Sequence, residues 1–314
     1  MEKYLYKDLW FCIFNPIAGR ADHDSIRQEI EANFDKHNME YALYATACKG
    51  DATKIVEEKI LEGYTNFVAA GGDGTVHEVV NGIMKQDFVN TEEITLAVIP
   101  IGTGNDWAKH HNIPLSINES VAFILKGNTS KQDIGKVDFI DLEDNPKTEY
   151  FNNVAGMAYD AFVVKKLEER KSKPNKFVYI FSVLFYLFQF RKQLTKVELN
   201  DLTLKDKYYT INAGICKYSG GGMSLVPHAK HDDGLFAITL AGNISKLDVV
   251  LNTWRFYNDS ITMHPKIDAY FSKSMKVDSE TEYPVLLELD GELVGKTPAD
   301  FNIMPSALKF ISAT

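Results

Sequence analysis

The sequence predicts two domains: an N-terminal α/β domain with a mostly parallel sheet, then a C-terminal antiparallel β-sandwich. Three observations carry this. Short apolar runs alternate with helical patterns up to about residue 126. Loops bearing Gly19, Gly71 to Gly74 and Gly102 to Gly104 lie among those runs and helices. Past Lys131, strand candidates follow one another with few helices between them. A chain of 314 residues is long enough for both domains and a sizeable core.

Trp10 to Phe14 reads as the first strand and ends in the turn-rich Asn15-Pro16-Ile17-Ala18-Gly19-Arg20. A helix follows over about 23 to 37, then a strand over Tyr41 to Ala45. Lys49-Gly50-Asp51 opens a helix with Ile55, Val56 and Ile60 on its apolar face. Phe67 to Ala70 forms the third strand and runs into Gly71-Gly72-Asp73-Gly74-Thr75-Val76-His77, with a helix on to Met84. Leu96 to Pro100 is the fourth, followed by Gly102-Thr103-Gly104-Asn105-Asp106, a helix containing Trp107 and Ala108, and another over about 117 to 126. In an open α/β sheet such loops gather at the carboxyl ends of the strands, where ligands bind.

The first domain is read as residues 1–131 and the second as 132–305, with a last strand near 306–314 available to return to the first. Strand candidates in the second are 134–141, 149–155, 196–204, 207–216, 234–241, 261–270, 274–278 and 284–289. A helical insertion interrupts them. Residues 160 to 170 are amphipathic, and the aromatic run 177–190 is flanked by Lys171, Lys173, Lys176, Arg191, Lys192 and Lys196. That run is too short to span a bilayer. It suits a membrane surface or the wall of an acyl-chain pocket, and equally a core helix.

A formal net charge of -9 argues against a general nucleic-acid binder. Cys12, Cys48 and Cys216 match no zinc spacing and read as reduced thiols of a cytoplasmic protein. The N-terminus shows no signal peptide, and no apolar run reaches transmembrane length.

The glycines after the third strand let backbone approach a ligand, and the N–H groups opening the next helix favour an anion. The stretch therefore reads as a phosphate cradle; the plain alternative is a structural turn. Asp73 would repel a phosphate, so it is expected to work through Mg2+ or to orient another group. Thr75 and Thr103 offer hydroxyls to phosphate and Asn105 an amide, although Asn105 could instead cap the helix, as Asp106 could equally well. Thr46 could reach the nucleotide from a neighbouring loop. No Walker or dinucleotide fingerprint occurs. His77 reads as local packing, and His228 and His231 as surface residues. Gly220-Gly221-Gly222 reads as a mobile or closely approached loop. Lys230-His231-Asp232-Asp233-Gly234-Leu235 is a turn whose acids and carbonyls could hold a hard cation. Asp290-Gly291 is a hairpin-turn signal, and Asp290 could also act as a general base.

Taken in order, these segments resemble the diacylglycerol kinase catalytic-domain superfamily, most of all its compact bacterial diacylglycerol and sphingosine-type lipid kinases. The match starts at Asn15-Pro16 and Gly19 and passes through Gly71 to Thr75, Glu78-Val79-Val80-Asn81-Gly82 and Gly102 to Asp106. It continues through Phe151-Asn152, Gly156, Asp160, Gly220 to Met223 and Pro227 to Leu235, and closes on Leu289-Asp290-Gly291-Glu292. Gly-Gly-Asp-Gly-Thr alone is shared with NAD kinases and phosphofructokinases. The resemblance implies an NAD kinase/diacylglycerol kinase-like fold with ATP in an interdomain cleft, a phosphotransferase acting on a lipid alcohol, and a place in phospholipid metabolism. It implies Thr46, Gly71, Gly72, Asp73, Gly74, Thr75, Val76, His77 and Thr103 at the nucleotide, and Asp290 as proton acceptor. It also implies a structural Mg2+ at Asp233 and at the backbone of Lys230 and Leu235, with 177–190 near the lipid pocket. His77 departs from the asparagine common in bacterial relatives. Peripheral contact with the inner face of the plasma membrane is expected, nucleic acid is not, and a homodimer is left open. The rivals are an NAD kinase and a non-catalytic lipid-binding regulator.

Overall fold

The structure, a computed structural model, describes residues 6–19, 23–169, 185–200 and 202–313. The chain divides into two units, one running to Ile134 and taking in Ser306–Thr314, the other Gly135–Pro305.

In the first unit, β1 (Tyr6–Phe14), α1 (His23–Lys36), β2 (Tyr41–Ala45), α2 (Asp51–Glu62), β3 (Tyr64–Gly71), α3 (Asp73–Lys85), β4 (Thr95–Pro100), α4 (Asp106–His110) and α5 (Ile117–Leu125) follow in turn. The strand order is β4-β3-β1-β2, all parallel. β3 and β4 are almost wholly buried, which explains their unbroken apolar sequences: a parallel sheet is covered on both faces. Helix α1 buries Ile26, Ile30 and Phe34, one turn apart, and α2 buries Ile55, Val56 and Ile60. The register pairs Phe14 with both Ala45 and Ala70, and Gly71 with Pro100. Four strands thus end level.

The second unit is antiparallel. It contains β6 (Pro146–Phe151), β7 (Val154–Ala158), α6 (Tyr159–Glu168), β8 (Leu194–Leu199), β9 (Leu202–Lys207) and β10 (Thr210–Gly214). Then come β11 (Tyr218–Ser219), β12 (Met223–Ser224), β13 (Phe236–Ala241), α7 (Lys246–Asn252), β14 (Ile267–Ser272), β15 (Ser274–Ser279) and β16 (Leu286–Leu289). Two strands have residues in both units: β5 (Thr129–Asp141) and β17 (Glu292–Ile311). β14, β13, β10, β7, β16 and β17 lie side by side, while β15 pairs with β17 and β8, and β5 with β6. Phe151 stacks on Phe236 and meets Phe301 edge-on at the centre of the core. Lys309 and Phe310 of β17 pair in parallel with Thr95 and Leu96, so the last strand completes the first unit's sheet.

Several elements differ from the sequence reading. The candidate 149–155 is two strands broken at Asn152-Asn153, and 196–204 is a hairpin turning at Asn200 (φ +46°). The candidate 261–270 opens as a short 3-10 helix and becomes a strand only at Ile267. Helix α7 was not predicted, although Ser245 and Asp248 close a reciprocal capping box at its start. Residues 292–305, given no element from sequence, continue into the last strand despite Pro298 and Pro305. Of the 177–190 run, 177–184 and its preceding lysines lie outside the described residues. Tyr186 and Leu187 are buried among Tyr159 and Tyr209, whereas Phe185 and Phe188 are exposed. Among the described residues no helix is long and apolar enough to cross a membrane.

Helices α2 and α3 pack backbone to backbone at Gly82. A Cβ there would lie 2.7 Å from the Thr53 carbonyl oxygen and 2.7 Å from Val56 Cβ. Glu78, one turn earlier, accepts the Gly50 N–H at 2.8 Å and the Ala52 N–H at 3.1 Å, capping α2. Gly82→Ala should therefore lower stability by about 1–3 kcal/mol despite its helix propensity, and Gly82→Val by more. The urea midpoints of the variants measure this.

Candidate functional site

The level strand ends bring the loops of the first unit together. The Asn15 N–H donates to the Ala70 carbonyl at 3.0 Å, the Thr46 N–H to Phe14 at 2.9 Å and the Ile101 N–H to Gly71 at 2.8 Å. Asn15 Nδ2 also donates to Thr75 Oγ1 at 2.9 Å. Three glycine positions are sterically dictated. A Cβ on Gly71 would strike Thr75 Oγ1 at 2.2 Å, and one on Gly102 would lie 2.5 Å from Gly72 Cα. At Gly19, φ is +73° and a Cβ would meet the Ile101 oxygen at 2.6 Å. The strand order switches direction between β1 and β3, so the loops after those two strands flank the switch point.

Helix α3 opens at Gly72, in extended conformation and without a side-chain cap. The Thr75 and Val76 N–H groups turn back to the Gly72 carbonyl. The N–H groups around Gly74 open the helix and have no acceptor within it. The loop therefore presents backbone dipoles from Gly72 to Gly74. The side chains of Thr75, Val76 and His77 are buried. His77 Nε2 lies 3.3 Å from Asn81 Nδ2, so the imidazole packs inside the unit. Asp73 Oδ1 accepts the Trp107 N–H at 3.2 Å and thereby caps α4. The sequence offered Asn105 or Asp106 for that cap. Asn105 instead sits in the left-handed region (φ +53°) with Nδ2 donating to the Gly102 carbonyl at 2.8 Å. Thr103 is exposed, and Thr46 is half-buried with Oγ1 3.5 Å from the Phe14 oxygen.

The second unit holds the predicted carboxylate. Asp290 and Gly291 have φ +52° and +89°, a tight turn joining β16 to β17. The Asp290 carboxylate folds back over the connection between β6 and β7. Oδ1 accepts the N–H groups of Asn153 at 2.9 Å and Val154 at 3.1 Å, and Oδ2 accepts that of Asn152 at 3.1 Å. Two more carboxylates lie behind it. Glu288 is buried; Gly291 N–H donates to its Oε2 at 2.7 Å, and Gly156 leaves room for its Oε1. Burial first, then the charges of Asp160 and Asp290, pushes the Glu288 carboxyl well above the usual range, against the pull of Gly291. Asp160 retains some accessible surface, but its carboxyl is enclosed, and burial raises it to about 6 while hydrogen bonds from Thr210 and Asn212 oppose the rise. Neither Glu288 nor the Asn152-Asn153 break was singled out from sequence. Two consecutive asparagines inside an apolar strand pattern were the available signal.

From Asp160 an apolar space opens. One small cavity is lined by Asp160, Leu187, Met223 and Thr253, and a second by Asn212, Thr239, Ile244 and Ile261. Both also touch Tyr209, Thr210, Leu225, Val249 and Phe256. Asn212 and Thr239 are paired across β10 and β13, and both are buried. Asn212 Oδ1 and Thr239 Oγ1 have no hydrogen-bond partner among the described residues.

The remaining expected positions fall on turns. Asp233 is exposed and accepts the Leu235 N–H at 3.1 Å, with Gly234 at φ +71° and Lys230 exposed alongside. A carboxylate with backbone carbonyls is a hard oxygen set suited to Mg2+. Gly220, Gly221 and Gly222 have φ +62°, +84° and +100° and close the β11–β12 hairpin. A Cβ on Gly221 would meet nothing, so left-handed backbone and not close approach selects glycine there. His228 is half-buried, not a surface residue; its Nε2 is 3.2 Å from the Tyr270 carbonyl oxygen, and burial lowers its pKa.

Comparison with known proteins agrees along the chain. The family model for the diacylglycerol kinase catalytic domain matches residues 10–137, and that for the YegS C-terminal NAD kinase beta sandwich-like domain matches residues 153–312. A diacylglycerol kinase of Staphylococcus epidermidis is 31% identical over 292 residues, covering 92% of this chain and 87% of its own length. One of Staphylococcus saprophyticus is 29% identical over 292 residues, at 92% and 90%. Two structures of putative diacylglycerol kinases from Bacillus anthracis str. Sterne share the fold. One has a TM-score of 0.74 at 23% identity over 97% of each chain, the other 0.76 at 22% over 98% of each. The chain belongs to the diacylglycerol kinase catalytic-domain superfamily, a group of lipid and nucleotide kinases.

The raised Asp160 carboxyl sets a pH dependence. The folded state holds that proton more tightly than the unfolded state, so stability falls as pH rises from about 4 through about 6. Asp160→Asn should be more stable than the parent at pH 8 by on the order of 2–3 kcal/mol, with the difference gone at pH 4. Denaturant titrations at the two pH values test this.

Proposed function

We propose that this member of the superfamily is an ATP-dependent lipid kinase that moves the γ-phosphoryl group to the hydroxyl of diacylglycerol or a related lipid alcohol. One observation carries the acceptor class: three neighbouring carboxylates, Asp160, Glu288 and Asp290, of which Asp160 lines an apolar cavity within the same unit. An apolar alcohol needs space for its chain and a carboxylate for its proton, and both are here. NAD as acceptor would leave that apolar space without a role.

The backbone around Gly72 to Gly74 supports a nucleotide phosphate, helped by the hydroxyls of Thr46 and Thr103 at neighbouring strand ends. Gly71, Thr75, Val76 and His77 contribute shape and not polar side-chain contacts. Asp73 acts by holding the 102–107 segment through Trp107. Mg2+ would be held at Asp233 with the backbone oxygens of Lys230 and Leu235, and with ATP it would offset phosphate charge. Asp290 accepts the hydroxyl proton on its carboxylate, which the N–H groups of Asn152, Asn153 and Val154 hold in place. A second reading has specific support. Asp290 is already committed to three backbone donors, whereas Glu292 follows Gly291 in the same turn and is less buried. In that reading Asp290 positions the turn and Glu292 takes the proton.

The decisive experiment is an ATP-dependent phosphorylation screen over diacylglycerols, sphingoid bases and NAD, with Asp290→Asn and Glu292→Gln. Loss of kcat by about a hundredfold or more in Asp290→Asn alone assigns the base to it, and loss in Glu292→Gln with a largely active Asp290→Asn assigns it to Glu292. Product from NAD alone would overturn the lipid reading, and lipid binding without product would indicate a non-catalytic regulator.

The cavity gives a separate test. Thr239→Val removes a hydroxyl with no protein partner, so the melting temperature should hold or rise. If the hydroxyl meets a polar group of the bound lipid, KM should rise about threefold to tenfold with kcat retained.

A further inference from the structure

Helix α7 and the 3-10 turn after it, Thr253–Tyr257, have two apolar faces. Val249, Asn252, Thr253 and Phe256 line the cavities. The other stripe is Leu247, Val250, Leu251 and Trp254, spaced i, i+3, i+4 and i+7, with exposures of 67%, 39%, 62% and 55%. Phe188, also exposed, belongs to this surface: Lys246 Nζ donates to its carbonyl at 2.7 Å and sits over its ring. Large apolar side chains left open at helical spacing mark an interaction surface.

The surrounding charge says what kind. The chain as a whole carries -9. At this face, however, stand Lys246, over the Phe188 ring, and Arg255, while Lys207, Lys246 and Lys266 gather around Lys192 with Asp206, and Asp248 and Asp268 lie nearby. Asp248 is held by Lys266 at 3.0 Å, and Asp206 accepts the N–H groups of Lys207 and Asn243. Arg255 lies over the Trp254 ring, with 4.9 Å to its centroid. Aromatic side chains interleaved with cations beside an apolar stripe are the pattern of a helix lying in a membrane interface.

We propose that this face seats the protein on an anionic phospholipid bilayer, with α7 in the plane of the interface. Leu247, Leu251 and Trp254 enter the acyl boundary, and Lys207, Lys246 and Arg255 meet the headgroups. The purpose rests on the lipid kinase reading: the helix that touches the bilayer on one side lines the lipid cavity on the other. A second copy of this chain is the competing occupant.

The test is co-sedimentation of the full chain with vesicles of phosphatidylglycerol and phosphatidylcholine, and of phosphatidylcholine alone. Binding should need the anionic lipid and fall as salt is raised. The double variant Leu251→Glu, Trp254→Glu should bind at least tenfold more weakly, with unchanged melting and unchanged turnover of a short-chain, monomerically soluble diacylglycerol. Lys207→Gln with Lys246→Gln should weaken binding by about fivefold per cation and flatten its salt dependence. Equal binding by parent and double variant would overturn the proposal, as would no binding to anionic vesicles. So would a dimer in solution that the double variant splits without change in vesicle binding. If the parent fails to turn over any lipid but binds as described, the kinase reading falls and the membrane face stands.

Discussion

The Asp290 carboxylate gathers the N–H groups of Asn152, Asn153 and Val154, while its own N–H donates to the Val154 carbonyl at 2.9 Å. This interaction ties the turn between β16 and β17 to the break between β6 and β7. The two asparagines cannot continue a strand there without leaving backbone donors unmet. The turn in turn fixes Glu288 through Gly291, and Glu288 lies against Gly156 and within range of Asp160. A single buried acceptor thus sets the geometry from the turn to the floor of the cavity. Burial of three carboxylates is costly, and the raised positions of Glu288 and Asp160 show where the fold favours the neutral form.

The first unit is organised by close approach of backbone. Gly72 and Gly102 touch, Gly71 accommodates Thr75, and Gly82 accommodates α2. Two carboxylates of the glycine-rich motif serve this packing: Glu78 caps α2 and Asp73 caps α4. What is offered outward is backbone, which suits an anion better than any acidic side chain in the loop would.

Much of this was legible in the sequence because its causes are local. The apolar runs and glycine loops of the parallel sheet follow from burial on both faces and from steric exclusion of Cβ. The Asp290-Gly291 turn could be read from the dipeptide alone. Less legible were features whose cause lies far along the chain. The Asn152-Asn153 break is explained by a carboxylate 138 residues away, and Asn105 gave no sign that its expected cap would come from Asp73. The last strand was read only from 306, because prolines interrupt its 292–305 part, and α7 was hidden by apolar residues on both faces, which blur a single-sided periodicity.

By itself the sequence determined the two-domain class, the mostly parallel character of the first sheet and the glycine loops after its strands, and it offered candidates for phosphate, cation and proton. These depend on spacing along the chain. Tertiary structure decided which eligible residues turn inward. It buried Thr75, Val76 and His77, assigned Asp73 to a helix cap, and set Asp160 at the apolar cavity with Glu288 within its electrostatic range. It also left one stripe of α7 open while closing the other. Each outcome turns on which surfaces meet across distant parts of the chain, and local periodicity carries no information about that.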